Sequence, residues 1–435
     1  MAWMASLWLI FLLSVFPLVA QVITDDEVED FAELEDGTVI RYDESVATQI
    51  AYYELGNGLR FILNGGEHEF GLGAFIQPTA SLVYGDLVDT VNSASAFTID
   101  QARLFLTGKA MHGKGSFRLD MEFTDGFSLL EAWVGLHPWK FLNIYAGQML
   151  IAANNRAYTF QENRLQFAER SVLSRRFTTS GRELGIFADA SIPLGSAVLR
   201  PHVGVSSGDG RNSFGELSTD PDIGGVKLMG RLDVLPFGEF TENGQQFIAD
   251  LEREESPKLV VGAAFSRNYE ASGATGEGHG DFNVFNQFGE LTYADYEQLF
   301  ADLLVKYRGF SVLVEFANAR IIGDEFLYLD ASANQILNGE NIADNYVVGQ
   351  AYNVQAGYVF AHKIALDIRY STIMPEFDVE SSLLHQENWY TVALTKYFGE
   401  NNGFRLSASG SYVQDNTLIG DKTGIFASIL AQLSF

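Results

Sequence analysis

The chain has no cysteine among its 435 residues. That excludes a disulfide framework, thiolate metal sites and cysteine nucleophiles, and it leaves an envelope location open. Positive charge is scarce: 28 Lys and Arg face 56 Asp and Glu, for a formal charge of -28. A chain so acidic repels phosphate backbones, which argues against a nucleic-acid binder. The seven histidines, among them His68, His112 and His279, show no metal-ligand spacing, and no phosphate-cradling glycine loop is present. Neither a cofactor nor a metal is expected.

Long uncharged apolar runs are also missing, with one exception at Ala2–Ala20. The run is read as a secretory signal peptide, residues 1–20, cleaved after Ala20, although no Lys or Arg precedes it and Leu18 replaces the usual small residue. A retained transmembrane anchor is the other reading, since the run is about long enough to span a bilayer. If the remainder enters a membrane, it must enter as strands. Proline is low at 9 residues while glycine reaches 42 and aromatics 13%, with 34 Phe and 18 Tyr. This composition suits many long strands joined by glycine turns, with rings at lipid–water boundaries.

Residues 21–69 form an acidic leader, most concentrated at 22–36, where eight Asp and Glu occur without a base; such runs are usually solvated. From about Phe70 onward, alternation takes over. Phe117, Leu119, Met121 and Phe123 alternate with Arg118, Asp120 and Glu122, and Ile364, Leu366 and Ile368 with Asp367 and Arg369. A half-exposed soluble sheet shows the same pattern, so alternation alone does not choose. Counting gives about 16 candidate strands between 70–84 and 424–435, an even number typical of a membrane barrel. Loop lengths separate the two readings. Alternate connections are short (111–114, 139–140, 193–196, 362, 399–402), and the others are long (150–182, 208–224, 268–295, 319–347). One turn, 236–257, breaks the rule, being long and acidic. The final strand places Ile425, Ala427, Ile429, Ala431, Leu433 and Phe435 on one face and Ser428, Gln432 and Ser434 on the other. It should close against 70–84, with Phe435 at the periplasmic rim as the signal read by barrel assembly machinery. The expected fold is therefore all-β: a transmembrane antiparallel β-barrel of about 16 strands over 70–435, whose long third external loop folds into the pore.

Loop 150–182 carries Arg156, Arg164, Arg170, Arg175, Arg176 and Arg182 against only Glu162 and Glu169. Folded inward, these guanidinium groups would form a constriction that attracts anions, since the planar fork binds phosphate oxygens bidentately and keeps its charge. Left outside, they would bridge lipid head groups or pair with neighbouring acids. Bases at lumen parity on the wall are Arg103, Lys109, Arg118, Lys227, Arg231, Lys306, Arg369 and Arg405. They share that parity with Asp120, Glu122, Glu131, Asp233, Asp302, Glu315 and Asp367. Enzyme signals are weak. Gly204-Val205-Ser206-Ser207-Gly208 has nucleophile-elbow spacing but ends a strand and opens a polar loop, where the elbow needs a helix. No His stands at suitable parity beside a Ser on the lipid-facing rim.

Across 97–192 the sequence resembles the phosphate-selective porin O/P family. The segments that carry the likeness are Gln101-Ala102-Arg103-Leu104, Phe117-Arg118-Leu119, Leu130-Glu131-Ala132-Trp133-Val134-Gly135, Asn143-Ile144-Tyr145-Ala146-Gly147-Gln148, Gln166-Phe167-Ala168-Glu169-Arg170-Ser171 and Gly181-Arg182-Glu183-Leu184-Gly185. The resemblance implies a 16-stranded outer-membrane barrel, trimeric in that family's best-known members, with an inward third loop and a basic constriction passing phosphate or polyphosphate. Here the loop holds arginine and no lysine. The expected function is passive diffusion of small hydrophilic solutes across the outer membrane of a Gram-negative bacterium, with preference for anions such as phosphate and no catalysis. A weakly selective or cation-preferring porin is the alternative, and a structural or enzymatic outer-membrane barrel is the reading from another class.

Overall fold

The computed structural model describes residues 31–33, 39–41, 50–54, 58–86, 93–124, 126–211, 225–241, 244–278, 282–323, 326–399, 403–417 and 420–435. The signal-peptide reading of 1–20, and most of the acidic run, lie outside them. The wall is a closed antiparallel barrel of 16 strands. Its first half comprises β1 (His68–Gly85), β2 (Ser93–Ala110), β3 (Gly115–Glu122), β4 (Ser128–Trp139), β5 (Leu142–Leu150), β6 (Arg182–Ala190, prolonged by Ile192–Leu194), β7 (Ala197–Ser206) and β8 (Lys227–Leu235). Its second half comprises β9 (Lys258–Asn268), β10 (Asp295–Tyr307), β11 (Phe310–Ile322), β12 (Gly349–Val359), β13 (Ile364–Pro375), β14 (Gln386–Phe398), β15 (Phe404–Thr417) and β16 (Gly420–Ser434). Every strand pairs with its sequence neighbour, and β16 closes on β1 in the register Ile429↔Ala80 and Ser434↔Phe75. The terminal Phe435 completes the seam: its N–H donates to the Ala74 carbonyl at 2.8 Å and its carbonyl accepts from the Ala74 N–H.

The barrel is inside-out relative to a soluble domain. Phe97 is 90% exposed, and Val134, Ile186, Val203, Ile368 and Ile429 also face outward, while Lys306, Glu315, Asp367 and Arg405 are at most 1% exposed and point in. A chain folding in water would bury the first set and expose the second. Surrounded by lipid, the arrangement is the stable one, because closure satisfies every strand hydrogen bond and the outer side chains meet hydrocarbon. The terminal strand follows its expected parity: Ile425, Ile429, Leu433 and Phe435 are exposed, and Gln432 and Ser434 are buried.

Connections sort by end. At one end, called here the turn end, β2–β3, β4–β5, β6–β7, β10–β11, β12–β13 and β14–β15 are joined by short turns. Met111 and His112 in the β2–β3 turn, and Arg308 before β11, adopt positive φ near 50° beside the glycines Gly113 and Gly309, the cost of asking a side-chain-bearing residue to share a tight turn. The opposite, loop end carries the long connections. A hairpin of Ile50–Glu54 and Gly58–Leu63 extends the sheet at the turn end: Leu59–Leu63 pair with His68–Leu72 on the same edge of β1 that β16 uses further along. The first residues of β1, and residues within 21–69, thus belong to one continuous sheet.

On the lipid face a charge should be costly, and on the lumen face it should be tolerated. Ile429→Arg is expected to destabilise the barrel by about 2–4 kcal/mol, whereas Ser428→Arg, one position away and facing in, should cost far less. Denaturant unfolding in lipid vesicles measures the difference; equal costs would contradict the assigned parity.

Candidate functional site

The third loop-end connection, 151–181, does not stay outside. It crosses the lumen and docks on the wall. Asn155 Nδ2 and the Ala157 N–H both donate to Glu315 of β11, at 2.8 and 2.7 Å. Gln166 donates to Asp367 of β13 and accepts from Gln355 Nε2 of β12 at 2.9 Å. The Leu165 and Asn163 carbonyls accept from Arg405 of β15 and Gln432 of β16. Within the loop a short helix, α1 (Val172–Phe177), is capped by the Ser171 hydroxyl accepting from the Ser174 N–H. It buries Leu173 and Phe177 completely against Phe300, Ile373 and Trp389. Apolar burial of this kind, about 1.5–3 kcal/mol per large side chain, fixes the loop as firmly as its polar ties do.

The six loop arginines take different positions. Arg156 is buried, with Nε 2.8 Å from Asp302 and both Nη atoms on Asp233 at 2.9 and 2.7 Å. Arg231 shares the same two acids, bonding Asp233 at 2.8 Å and both Asp302 oxygens at 2.7 Å. Two arginines and two aspartates thus form one buried square spanning loop, β8 and β10. Arg170 bonds Glu162 at 3.0 Å and lies over the Tyr158 ring. Arg182 neighbours Glu131 at 3.9 Å and bonds the Ser180 carbonyl. Arg164 lies 4.6 Å over Phe247. Arg175 and Arg176 keep side chains 39% and 45% exposed while pairing with Glu169 and Glu387.

Most of the wall bases turn out to hold something. Arg103 grips Glu122 at 2.9 Å and Glu162 at 2.5 Å. Arg118 pairs with Asp120 and Glu131, and Lys227 with Glu183. Arg369 donates to the Glu169 carbonyl and packs over Phe167. Lys109 sits exposed at the turn end with Glu69. Burial alone would push the Glu162 carboxyl up, but Arg103, Arg170 and Arg182 outweigh it and hold it well below the usual carboxylate range.

The turn that broke the length rule, 236–257, also folds inward. Lys306 of β10 donates to the Gly244 carbonyl at 2.6 Å and to that of Phe247. Asp250 accepts from the Gly309 N–H at 2.6 Å, and Phe240, Ile248, Phe247 and Leu251 are buried. The Ile248 N–H donates to the Arg164 carbonyl, so loop and turn meet. These large apolar residues, gathered inside one connection, are the one sequence signal that could have pointed to this docking, although their spacing has no regular period.

Two cavities flank the inserted loop. The larger, about 620 Å³, lies among β3–β10, the loop and the inserted turn. Its lining has six basic residues (Arg118, Arg156, Arg164, Arg200, Arg231, Lys306) and two acidic ones (Asp189, Asp233), beside His202. The smaller, about 250 Å³, lies against β1, β2, β15 and β16. Thr79, Ser81, Thr98, Ser409, Ser411 and Ser428 line it with Asp100 and Glu169. Among the described residues no group of His, Asp and Glu has the spacing of a metal site.

No family model matches the chain, and no curated protein matches it by sequence. Solved structures of outer-membrane barrels do share its fold. An anion-selective porin from Comamonas acidovorans matches over 85% of this chain and 100% of its own, with TM-score 0.50 and 13% identity. The outer membrane channel DcaP of Acinetobacter baumannii matches over 86% and 99%, with TM-score 0.50 and 10% identity. A loop-deletion mutant of OmpT, an outer membrane protein of Vibrio cholerae, matches over 85% and 100%, with TM-score 0.51 and 10% identity. At these identities the likeness is one of fold.

Removing one member of the buried square leaves the others uncompensated. Asp302→Ala should destabilise the barrel by about 3–5 kcal/mol, read as a lower thermal midpoint; the loss should shrink when Arg231 is replaced by Met as well. The stabilisation that Glu162 contributes is present above its unfolded carboxylate value and is lost only as pH falls through its lowered folded value. Glu162→Gln should therefore lower the midpoint at pH 7, and the gap between parent and variant should narrow only as pH falls below about 4.5.

Proposed function

We propose that the protein is an outer-membrane porin of a Gram-negative bacterium, passing small hydrophilic solutes by passive diffusion and favouring anions. The observation that carries this reading is the inserted third loop: it narrows a polar lumen to a cavity of about 620 Å³ whose lining holds six basic residues against two acidic ones. A barrel wall with an apolar outer face and an aqueous, charged interior lowers the barrier to crossing hydrocarbon and needs no energy input. Guanidinium groups fixed in such a site lower the energy of a passing anion, phosphate included, and raise that of a cation. The resemblance to the phosphate-selective O/P family, the anion-selective barrel of the same fold and the assembly signal at Phe435 all point the same way. A homotrimer in outer-membrane lipid, inserted by barrel assembly machinery, fits this reading.

The preference should be mild. Arg156, Arg170, Arg182 and Arg231 are each engaged by acids, so their fields are largely spent inside the protein. Arg175 and Arg176, with heads half exposed, retain more of theirs. A second reading, weak selectivity or cation preference, draws on the smaller cavity with Asp100 and Glu169 and on the net charge of -28.

In planar bilayers under a KCl gradient the protein should conduct, with a zero-current potential that reports chloride over potassium, and added phosphate should reduce chloride conductance. The Arg175→Ala, Arg176→Ala double variant should cut the chloride-to-potassium ratio by a factor of about two, the size expected for two half-exposed, salt-screened charges. Cation preference in the parent protein would refute the role of the loop, and absence of conductance would refute the channel.

A further inference from the structure

A hydrogen-bonded chain at the turn end of the barrel stands apart from the arginine site. Ser116 Oγ lies 2.7 Å from His137 Nε2, and His137 Nδ1 lies 2.7 Å from Asn143 Oδ1. Asn143 Nδ2 in turn donates to Asp189 Oδ2 at 2.8 Å. The four residues come from β3, β4, β5 and β6, side by side in the wall, and all face the lumen: Ser116 shares the parity of Arg118, His137 that of Trp133, and Asn143 is the register partner of Asp189.

The direction of every bond follows from one fact. A carboxylate only accepts, so Asp189 fixes the Asn143 amide with its nitrogen toward the acid and its oxygen toward the histidine. That oxygen also only accepts, so His137 must carry its proton on Nδ1. In the neutral ring Nε2 is then an acceptor, and it faces the Ser116 hydroxyl. A histidine held in the tautomer that draws a proton from a serine is the arrangement of nucleophile, base and orienting group used in acyl transfer. Space is kept for it. Opposite Ser116 stands Gly135, where a Cβ would lie 2.5 Å from Ser116 Oγ and 3.0 Å from the Tyr145 ring. Ser116 and His137 are both partly exposed, so solutes in the lumen reach them.

We propose that Ser116, His137 and Asn143, with Asp189 as positioning residue, form a hydrolytic site in the barrel mouth for small, water-soluble carboxylic esters. Ser116 Oγ adds to the ester carbonyl carbon as its proton passes to His137 Nε2. The carbon–oxygen bond to the alcohol breaks, and the alcohol leaves with that proton. Water then attacks the acyl carbon and gives a proton to Nε2; the bond to Ser116 Oγ breaks, Oγ recovers the proton, and the carboxylic acid departs. Backbone N–H groups around Ser116 are committed to the sheet ladder, so the site favours esters whose leaving group departs readily.

The test uses the full-length protein in detergent micelles, with p-nitrophenyl acetate as substrate and a fluorophosphonate as covalent probe. The parent protein should cleave the ester and be labelled on Ser116. Ser116→Ala and His137→Gln should each lower cleavage tenfold or more, in line with the ~10²–10⁴ supplied by a positioned base, with circular dichroism confirming the folded barrel. Because the chain has no cysteine, Ser116→Cys creates a unique thiol. Its alkylation should show a pH midpoint below the ~8.5 of a free thiol, returning to that value when His137→Gln is added. Asp189→Asn frees the amide orientation and should shift the pH profile of cleavage rather than merely scale it. The control thiol is Ser428→Cys, which lies in the lumen beside Ser409 and not beside a histidine. Absence of cleavage in the parent protein, cleavage or labelling that persists without Ser116, or a thiol in the Ser116→Cys variant that titrates like the control would each overturn the proposal. All of these outcomes are independent of whether the channel conducts.

Discussion

Closure of β16 on β1 is the constraint from which the rest of the molecule follows. A sheet of this size cannot sit in hydrocarbon with an unpaired edge, since each orphaned N–H or C=O would cost several kcal/mol. Sixteen strands closed in register satisfy those groups, and in doing so they enclose a lumen wider than side chains alone can fill. The inserted loop and the inserted turn answer that geometric consequence. The loop brings an apolar helix to one half of the lumen, where Leu173 and Phe177 pack without exposure, and it leaves a cavity of about 620 Å³ on its other side.

Charge inside the barrel obeys the same logic. Acids and bases share the inner face, and many are matched: Arg156 and Arg231 with Asp233 and Asp302, Lys227 with Glu183, Arg103 with Glu122 and Glu162, while Lys306, Glu315, Asp367, Arg369 and Arg405 hold carbonyls or amides of the inserted segments. Burial of an unpaired ion costs more than any single contact returns. The acids in the lumen therefore act first as counterions that fix arginine positions. The field felt by a passing solute is the residue left after this mutual cancellation, concentrated where guanidinium heads remain partly exposed.

The wall was legible in the sequence because lipid on one side and water on the other impose a strict two-residue period, and because connections of unequal length alternate between the ends. The inward third loop was legible through its unusual density of arginine. The distant partners of those arginines were not, because Asp233, Asp302 and Glu387 lie far away in sequence and only barrel closure brings them near. Neither was the docking of 236–257: its length and acidity marked it only as an exception to the alternation of connections, and its buried Phe240, Phe247, Ile248 and Leu251 have no regular period. Lumen-facing Phe300 and Trp389 break the expected polar parity because they serve α1 rather than water. The neighbourhood of Ser116 and His137 likewise depends on the register of β3 against β4, which no periodicity reveals.

The junction between Ile248 and Arg164 bears on how the molecule is put together. Its two halves start from opposite openings of the barrel, one from the connection between β5 and β6 and the other from that between β8 and β9. Each reaches into the enclosed space from its own side, and they touch inside it. Lys306 of β10 receives the turn, so strands from both halves of the wall hold the contents of the lumen in place. The meeting of loop and turn thus ties the two openings of the barrel to each other through its interior, so that a strain applied at one rim is felt at the other.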